Sequence, residues 1–267
     1  MTSQPRTKVM IATPIYGGAE ASYVSGMVNL LVLAEKSGLD CSYVTMADNP
    51  CIDRARNMLA DIFLRSDCTH LLFIDDDIGF EPAQVIDFIQ RMAADEKLAV
   101  FGGPCPRRMI AWKQVHAAAR AGLAMDDPEG LEVAGGQYAM EPLDPAAPVK
   151  TDEPFELLRL GTGMMAIRRD VLETLREAHP ELLYNAPEGE QCGGAEGRQI
   201  TAFFHPLIEP DTRNFRSDDF AFCNRVRDAG FRIWAAPWMR LSHTGPATFS
   251  ATITDLAALQ SQARKTN

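Results

Sequence analysis

The sequence lacks the features that mark several large classes of protein. Its six cysteines include no Cys-x-x-Cys pair, so neither a zinc site of that spacing nor a disulfide framework is expected. No stretch approaches the roughly 20 apolar residues of a membrane span, and residues 1–8 hold no apolar core of a signal peptide. These absences predict a cytoplasmic protein with reduced cysteines and no membrane span.

An excess of positive charge is also missing. The chain of 267 residues carries 26 Lys and Arg against 36 Asp and Glu, which gives a formal net charge of −10. A non-specific grip on nucleic acid is therefore disfavoured, although a local basic patch stays possible. The hydrophobic share of 46 % is ordinary for a globular protein with a sizeable core, of one large α/β domain or two small ones.

What the sequence does contain is a regular alternation of strand and helix patterns in its first 103 residues. This order predicts an α/β fold with a mostly parallel, doubly wound sheet. Strands are expected at residues 8–12, 41–45, 71–74 and 98–101, with a loop at 13–18 and helices at 20–36, at 53–64 and from 82 onward.

The regular pattern stops at Pro104. Residues 104–154 are rich in Pro, Gly, Ala and Asp, and we expect an irregular insert over the sheet edge. The glycine-rich residues 185–200 are a candidate substrate lid. Further strands are expected at 155–160, 164–167, 231–235 and 239–241, and helices at 169–179, 217–229 and 255–262.

The most informative stretch runs from Leu71 to Phe80. Four apolar residues lead directly into Asp75, Asp76 and Asp77. The apolar run predicts a strand buried on both faces, and the three like charges must emerge at its end. They indicate either a carboxylate platform for a hard divalent cation at the carboxyl edge of the sheet or a solvated acidic turn.

Several short motifs accompany the acids in a recurring order. Together they resemble the GT-A glycosyltransferases, in particular the family 2-like bacterial group, over roughly residues 8–250. The motifs are Ala55-Arg56-Asn57, Leu72-Phe73-Ile74-Asp75-Asp76-Asp77, Gly161-Thr162-Gly163, Ser217-Asp218-Asp219 and Leu241-Ser242-His243-Thr244-Gly245.

The resemblance implies a single Rossmann-like GT-A domain, the fold of nucleotide-diphospho-sugar transferases. Residues 8–103 would form its nucleotide-binding half and residues 155–250 its acceptor and catalytic half. In such enzymes the last Asp of the motif binds a divalent metal, which assigns Asp77 here, with His243 as a further ligand. Oxygen ligands suit Mg²⁺ or Mn²⁺, and the imidazole favours Mn²⁺. His243 bonded only to backbone is the alternative.

The resemblance also implies a catalytic carboxylate. Asp219 matches the second acid of the Glu-Asp pair that supplies the general base in inverting members, and Asp218 replaces the first. The alternative is that both acids only cap a helix beginning after Ser217. The positive helix end would hold such acids as anions and make them weaker bases.

On the nucleotide side, the resemblance assigns Asp75 to the ribose and Arg56 to the phosphates or the base. A surface ion pair of Arg56 with a nearby Asp is the alternative. Donor contacts are further expected from Asp76, which otherwise faces solvent, and from Thr13, Pro14, Tyr16, Gly161 and Gly163.

The function expected from the resemblance is metal-dependent transfer of a hexose from a UDP- or GDP-sugar to a hydroxyl acceptor, with inversion. The acceptor is a glycan, a small molecule, a protein or, less favoured by charge, a modified DNA base. A nucleotidyltransferase is disfavoured, because this sequence lacks the glycine-rich loop with a basic residue that usually follows the first strand of that class. A haloacid-dehalogenase-type phosphatase is also disfavoured, because the residues that usually follow the nucleophilic Asp of that class do not follow the acids in this sequence. A non-catalytic sugar-nucleotide-binding relative stays open.

Overall fold

The computed structural model describes residues 7–123, 130–146, 151–186 and 197–245. The first half alternates strands and helices as the sequence predicts. Its elements are β1 (Lys8–Ile15), α1 (Ala21–Lys36), β2 (Asp40–Ala47), α2 (Ile52–Arg65), β3 (His70–Ile74), β4 (Ile78–Phe80), α3 (Pro82–Ala94) and β5 (Val100–Gly102).

The second half contains shorter elements. They are α4 (Trp112–Arg120), α5 (Gly130–Ala134), β6 (Met140–Pro142), β7 (Phe155–Leu160), β8 (Met164–Arg168), α6 (Arg169–Ala178), β9 (Leu183–Asn185), β10 (Gln199–Thr201), β11 (Leu207–Ile208), β12 (Phe215–Arg216), α7 (Asp218–Asp228), β13 (Ile233–Ala235) and β14 (Leu241–His243).

Eight strands form one central sheet in the order β2-β1-β3-β8-β5-β13-β7-β6. β1 pairs in parallel with β2 and β3, and β5 with β13. β8 runs antiparallel to β3 and β5, and β7 runs antiparallel to β13 and β6. All strands of this sheet except β7 and β8 therefore share one direction, which confirms the predicted α/β class with a mostly parallel central sheet.

The core lies on both faces of this sheet because β3 is apolar on both faces. Leu71 and Phe73 pack into a cluster with α2, while Leu72 and Ile74 pack into a second cluster with α1 and α3. Alternate residues of a strand point to opposite faces, so an uninterrupted apolar run fills both layers at once. The rigid strand that results delivers the three acids to the sheet edge.

A small antiparallel ladder brings the end of the chain's described part back to the acids. β4 pairs with β14, so that Ile78 lies opposite His243. The sequence analysis did not predict β4, since three residues carry too little periodicity to reveal a strand. This ladder places the imidazole of His243 beside the acidic turn.

Two other expectations about the elements were wrong. Residues 13–15 belong to β1 and pair with β2 up to Ile15 opposite Ala47, where a loop was expected. Pro14 is tolerated because the pairing of β1 with β3 ends at Ala12, so its missing N–H breaks no bond on that side. The supposedly irregular insert contains α4, α5 and β6.

The two predicted halves interleave, because β8 lies between β3 and β5 in the sheet. The assignment of one half to nucleotide and the other to acceptor stays a prediction. Most of the predicted lid (residues 187–196) and the predicted last helix lie outside the described residues.

Two expectations that came from the composition, on the cysteines and on membrane spans, can be compared with the structure. The five cysteines that the structure describes are free thiols, and Cys192 lies outside the described residues. Among the helices in the described ranges, none combines the length and the apolar character needed to cross a bilayer.

Candidate active site

The acidic turn connects β3 to β4 at the carboxyl end of the parallel strands. Its backbone is fixed on both sides: Asp75 N–H donates to the carbonyl of Gly163 at 3.0 Å, and Ile78 N–H donates to the carbonyl of Asp75 at 3.1 Å. The N–H of Thr244 donates to the carbonyl of Asp77 at 2.9 Å. The three carboxylates therefore project from a turn that is held by two other segments of the chain and by one hydrogen bond of its own.

These carboxylates line a cleft of about 390 Å³. The cleft opens where β1, β3 and the segment between β2 and α2 leave the sheet, as expected for a ligand site in an open α/β sheet. Its lining residues are Pro14, Ile15, Tyr16, Asn49, Pro50, Ile52, Arg56, Asp75, Asp76, Asp77, Arg108 and His243.

Asp75 is tied to the start of α7 through one arginine. Nη2 of Arg56 donates to both oxygens of Asp75, at 3.0 and 2.9 Å, and its Nη1 donates to Asp218. Arg56 is only 5 % exposed, and its Nε has no partner among the described residues. The guanidinium thus cross-links the two acidic motifs. Its ion pairs are buried, so the surface ion pair that was the alternative for Arg56 is not what the structure contains.

Asp76 and Thr13 both stabilise the end of β1. Oδ2 of Asp76 accepts a hydrogen bond from Tyr16 N–H at 3.3 Å. Burial raises the pKa of Asp76, with a smaller opposing effect from this hydrogen bond. Thr13 is fully buried, and its hydroxyl bonds the Tyr23 hydroxyl at 2.7 Å. Pro14 and Tyr16 line the cleft, whereas Thr13 does not.

Asp77 and His243 form the second pair predicted from the sequence. Nε2 of His243 lies 3.2 Å from Oδ2 of Asp77, and its Nδ1 lies 2.7 Å from the carbonyl of Pro106. A carbonyl only accepts, so Nδ1 carries a proton and Nε2 is the atom directed at the carboxylate. The hydrogen bond to Asp77 raises the pKa of His243, against an opposing effect of burial.

This arrangement fits a divalent cation in its donor chemistry. With Nδ1 protonated, a neutral His243 presents the Nε2 lone pair to a carboxylate, an unfavourable contact that either a proton or a metal ion relieves. Two protein ligands are enough for Mg²⁺ or Mn²⁺, which usually retain waters and bind substrate phosphates. Within the described ranges no cluster of three or more His, Cys, Asp or Glu side chains is arranged to hold a metal, so waters or substrate phosphates would supply the remaining ligands.

Arg108 occupies the position next to this pair, which the sequence analysis did not assign to the site. Its Nη1 lies 3.0 Å from Oδ2 of Asp77. The pKa of Asp77 is lowered because His243 and Arg108 outweigh the effect of burial. Nothing in the sequence relates residue 108 to residue 77, so Arg108 could not be assigned to the site before the fold was known.

Asp219 lies one residue beyond the Arg56-linked Asp218. Its Oδ1 accepts hydrogen bonds from the Ser217 hydroxyl and from Phe220 N–H, the latter at 2.8 Å. Burial raises the pKa of Asp219, more than the Ser217 hydroxyl lowers it. Ser217 stands at the N-cap position of α7, but its hydroxyl bonds Asp219 and makes no capping hydrogen bond to the backbone.

Gly161 and Gly163 shape the wall between the two acidic motifs. A Cβ at Gly161 would lie 2.9 Å from Ala139 Cβ and 3.4 Å from Oδ2 of Asp219. A Cβ at Gly163 would lie 2.9 Å from the sulfur of Cys105. Neither glycine lines the cleft, so their donor contacts stay predictions, whereas their close packing explains why no side chain fits there.

Asn49 is a cleft residue that the sequence analysis missed. Its side chain is buried and its Oδ1 accepts from Cys51 N–H at 3.2 Å and Arg54 Nε at 3.1 Å. It follows Asp48, which has a φ of 58°. Asn-Pro after a strand is an ordinary turn sequence, so only the fold reveals that this turn faces the acids.

No protein-family model and no curated protein sequence matches this chain. Similar solved structures include GalNAc-T7 with UDP, GalNAc and Mn²⁺, at a TM-score of 0.44 and 10 % identity, covering 94 % of this chain and 47 % of that one. Another is a glycosyltransferase involved in glycosylation of the major capsid of PBCV-1, at a TM-score of 0.32 and 11 % identity. That match covers 65 % of this chain and 67 % of the other. This chain spans about half the length of the GalNAc-T7 chain. At these scores neither likeness carries an argument about this chain.

Proposed function

We propose that this protein is a metal-dependent glycosyltransferase that moves a sugar from a nucleoside-diphosphate sugar to a hydroxyl acceptor, with inversion. The observation that carries the proposal is the meeting of two acidic motifs at one sheet edge. Asp77 with His243 offers ligands for a cation, and Asp75 is linked through Arg56 to the turn that holds Asp219.

The cleft suits a nucleotide with its phosphates toward the acids. Tyr16 is 70 % exposed at one side of the cleft, where its ring can stack on a base. Asp75 keeps free acceptor capacity for a ribose hydroxyl, since both its oxygens share one donor nitrogen of Arg56. A cation on Asp77 and His243 would neutralise the charge that develops on the leaving diphosphate.

Asp219 has the properties of a general base for the acceptor. Both described hydrogen bonds of this carboxylate go to Oδ1, so Oδ2 can accept the proton of an acceptor hydroxyl. As that proton moves to Oδ2, the acceptor oxygen bonds to the anomeric carbon and the bond to the diphosphate oxygen breaks. A carboxylate with a raised pKa is a stronger base than an ordinary Asp. Attack opposite the leaving group inverts the anomeric centre.

The proposal is tested with a panel of UDP- and GDP-sugars, with and without Mn²⁺ or Mg²⁺, by measuring nucleoside diphosphate release. We expect slow cation-dependent hydrolysis of at least one donor without acceptor. Asp77→Ala should abolish this release, while Asp228→Ala, which alters an exposed acid at the end of α7, should leave it unchanged.

The products separate the alternatives. Release of pyrophosphate from a nucleoside triphosphate and a sugar 1-phosphate, supplied in a parallel reaction, would instead identify a nucleotidyltransferase. Cation-dependent binding of a nucleotide sugar without release would identify a non-catalytic relative. If no nucleoside diphosphate with a cation raises the melting temperature of the wild type, the donor site is refuted. Acceptor candidates are then screened among glycans, small hydroxyl compounds, proteins and modified DNA.

A further inference from the structure

Arg108 is held at the mouth of the candidate metal site by a single carboxylate oxygen. Its Nη1 lies 3.0 Å from Oδ2 of Asp77, and Nε2 of His243 lies 3.2 Å from that same atom. Because Nε2 of His243 faces this oxygen, a divalent cation held by both residues would take it as its carboxylate ligand. Arg108 and the cation therefore compete for one ligand atom.

The segment that follows β14 provides a seat for the Arg108 side chain. A Cβ at Gly245 would lie only 2.4 Å from Cδ and 3.0 Å from Cγ of Arg108. The preceding Thr244 is hydrogen-bonded to the carbonyl of Asp77. The stem of Arg108 thus runs across a residue without a side chain, next to the backbone of the acidic turn.

Arg108 differs from the other arginine of the cleft in its freedom to change partners. Arg56 is buried and bonded to Asp75 and Asp218 together, so moving it would leave two carboxylates unpaired. The side chain of Arg108 is 52 % exposed, and a surface ion pair of this kind contributes little to stability. Its guanidinium can therefore leave Asp77 at small cost.

The charge of the cleft favours a diphosphate as the new partner of the released guanidinium. Its lining includes Asp75, Asp76 and Asp77 against Arg56 and Arg108. A diphosphate entering beside three carboxylates needs cationic contacts, and Arg binds phosphate oxygens through parallel N–H donors.

Resting on the function proposed above, we propose that Arg108 is an exchangeable counter-ion of the donor site. It neutralises Asp77 while the cation is absent, yields that oxygen to the cation, and then binds the diphosphate of the donor. Because the cation releases Arg108 and the diphosphate engages it, each ligand favours binding of the other. Thermodynamic linkage requires the two effects to be equal in size.

The test compares wild type with Arg108→Gln by titrating Mn²⁺ alone, following free Mn²⁺ by electron paramagnetic resonance. Removing the competing cation should make Mn²⁺ bind more tightly, by about 2–5-fold, the scale of one exposed ion pair. The affinity for UDP or GDP at saturating Mn²⁺ should instead fall by about 10-fold, within the usual range of coupling. The nucleotide's enhancement of Mn²⁺ binding should shrink accordingly.

Arg107→Gln is the matched control, because Arg107 is an exposed neighbour of the same charge and does not line the cleft. It should change neither affinity. Gly245→Ala is a second variant, which keeps every charge but displaces the Arg108 stem. It should also tighten binding of Mn²⁺ alone.

Arg108→Gln is expected to change the affinities for Mn²⁺ and for the nucleotide in opposite directions, which makes the proposal refutable. If Arg108→Gln leaves Mn²⁺ affinity unchanged, or weakens Mn²⁺ and nucleotide alike, Arg108 only supports the loop and the proposal is overturned. That result would leave the glycosyltransferase proposal intact. A wild type that binds neither Mn²⁺ nor a nucleoside diphosphate would instead overturn both.

Discussion

Two effects compete at the carboxylate of Asp219. Its position at the first turn of α7 favours the anion, since helix N-termini carry a partial positive charge. Burial and the neighbouring Asp218 favour the protonated form, and the pKa is raised overall, against the Ser217 hydroxyl and Phe220 N–H. The balance matters for function because a general base must be ionised and yet basic.

Replacing this carboxylate should separate transfer from binding. We expect Asp219→Asn to bind a nucleoside diphosphate with Mn²⁺ as the wild type does, and to lose transfer by about 10²–10⁴-fold. Calorimetric titration and product release measure the two quantities. Unfolding of the variant, or loss of nucleotide affinity equal to the loss of rate, would assign Asp219 a structural role.

The raised pKa also predicts a pH dependence with a definite sign. The folded state holds the Asp219 proton more tightly than the unfolded state, so this group stabilises the fold below the ordinary value of 3.8 and less as pH rises through the folded pKa. The melting temperature of Asp219→Asn relative to wild type should therefore increase over that rise. Transfer by the wild type should increase over the same interval. A constant difference in melting temperature would contradict the shift.

At single positions, the sequence predicted residues whose placement follows from strand ends. Asp75, Asp77 and Tyr16 follow strands that run in parallel, so the sheet necessarily brings them together. Thr13 failed to reach the cleft because β1 extends past it and turns its hydroxyl to Tyr23. Arg108 comes from an insert without strong periodicity, and only the packing against Gly245 directs it to Asp77.

At the scale of elements, the hairpin of β11 and β12 determines where α7 begins. Glu209 accepts from Nε of Arg216 at 2.7 Å, from the Thr212 hydroxyl at 2.6 Å and from Nη2 of Arg159 at 2.9 Å. Arg159 belongs to β7 and also donates to Asn224 on α7, at 2.8 Å. One carboxylate thus joins the hairpin to the sheet through Arg159, and to the helix that carries the candidate base through Nδ2 of Asn224, which donates to it at 3.3 Å.

Neutralising this carboxylate should loosen the hairpin. Its hydrogen bonds, that of Arg216 first, lower the pKa of Glu209 from 4.5 to about 2. The stabilisation is therefore present above pH 4.5 and is lost as pH falls toward 2. We expect Glu209→Gln to melt at a lower temperature than wild type near neutral pH, and this difference to vanish in acid.

The control for that experiment is Glu177→Gln, which changes an exposed carboxylate on α6. It should have no pH-dependent effect of this kind. A difference between Glu209→Gln and wild type that persists at pH 2 would show that packing, and not the charge, is what the hairpin requires.

Elements with a clear apolar period were predicted well, as the bounds of α1 and the first residue of α3 illustrate. The apolar residues Met27, Leu30, Phe88 and Ile89 recur at helical spacing and fill one core layer. α4 was missed because its Ala-rich sequence has one buried residue, Ala118, and hence little period. Short strands such as β4 exist through their partners, and a partner distant in the chain cannot be identified from local pattern.

At the scale of the whole molecule, Arg56 connects the two stretches of chain that the resemblance separates. α2 belongs to the first stretch, and Asp218 lies 162 positions further along. The guanidinium also bonds Asp75. Breaking a buried ion pair by removing one partner is costly because the other charge is left uncompensated, and here two carboxylates depend on one cation.

Arg56→Met should therefore destabilise the protein by about 3–5 kcal/mol, measured by urea unfolding at neutral pH. Arg54→Met, on the same helix, removes a half-buried arginine that bonds Asn49 and should cost no more than about 1 kcal/mol. Adding Asp218→Asn to Arg56→Met should recover part of the loss, because it removes one stranded charge. Equal losses in the two arginine variants, or no recovery in the double variant, would mean that the ion pairs of Arg56 make no special contribution to joining the two stretches.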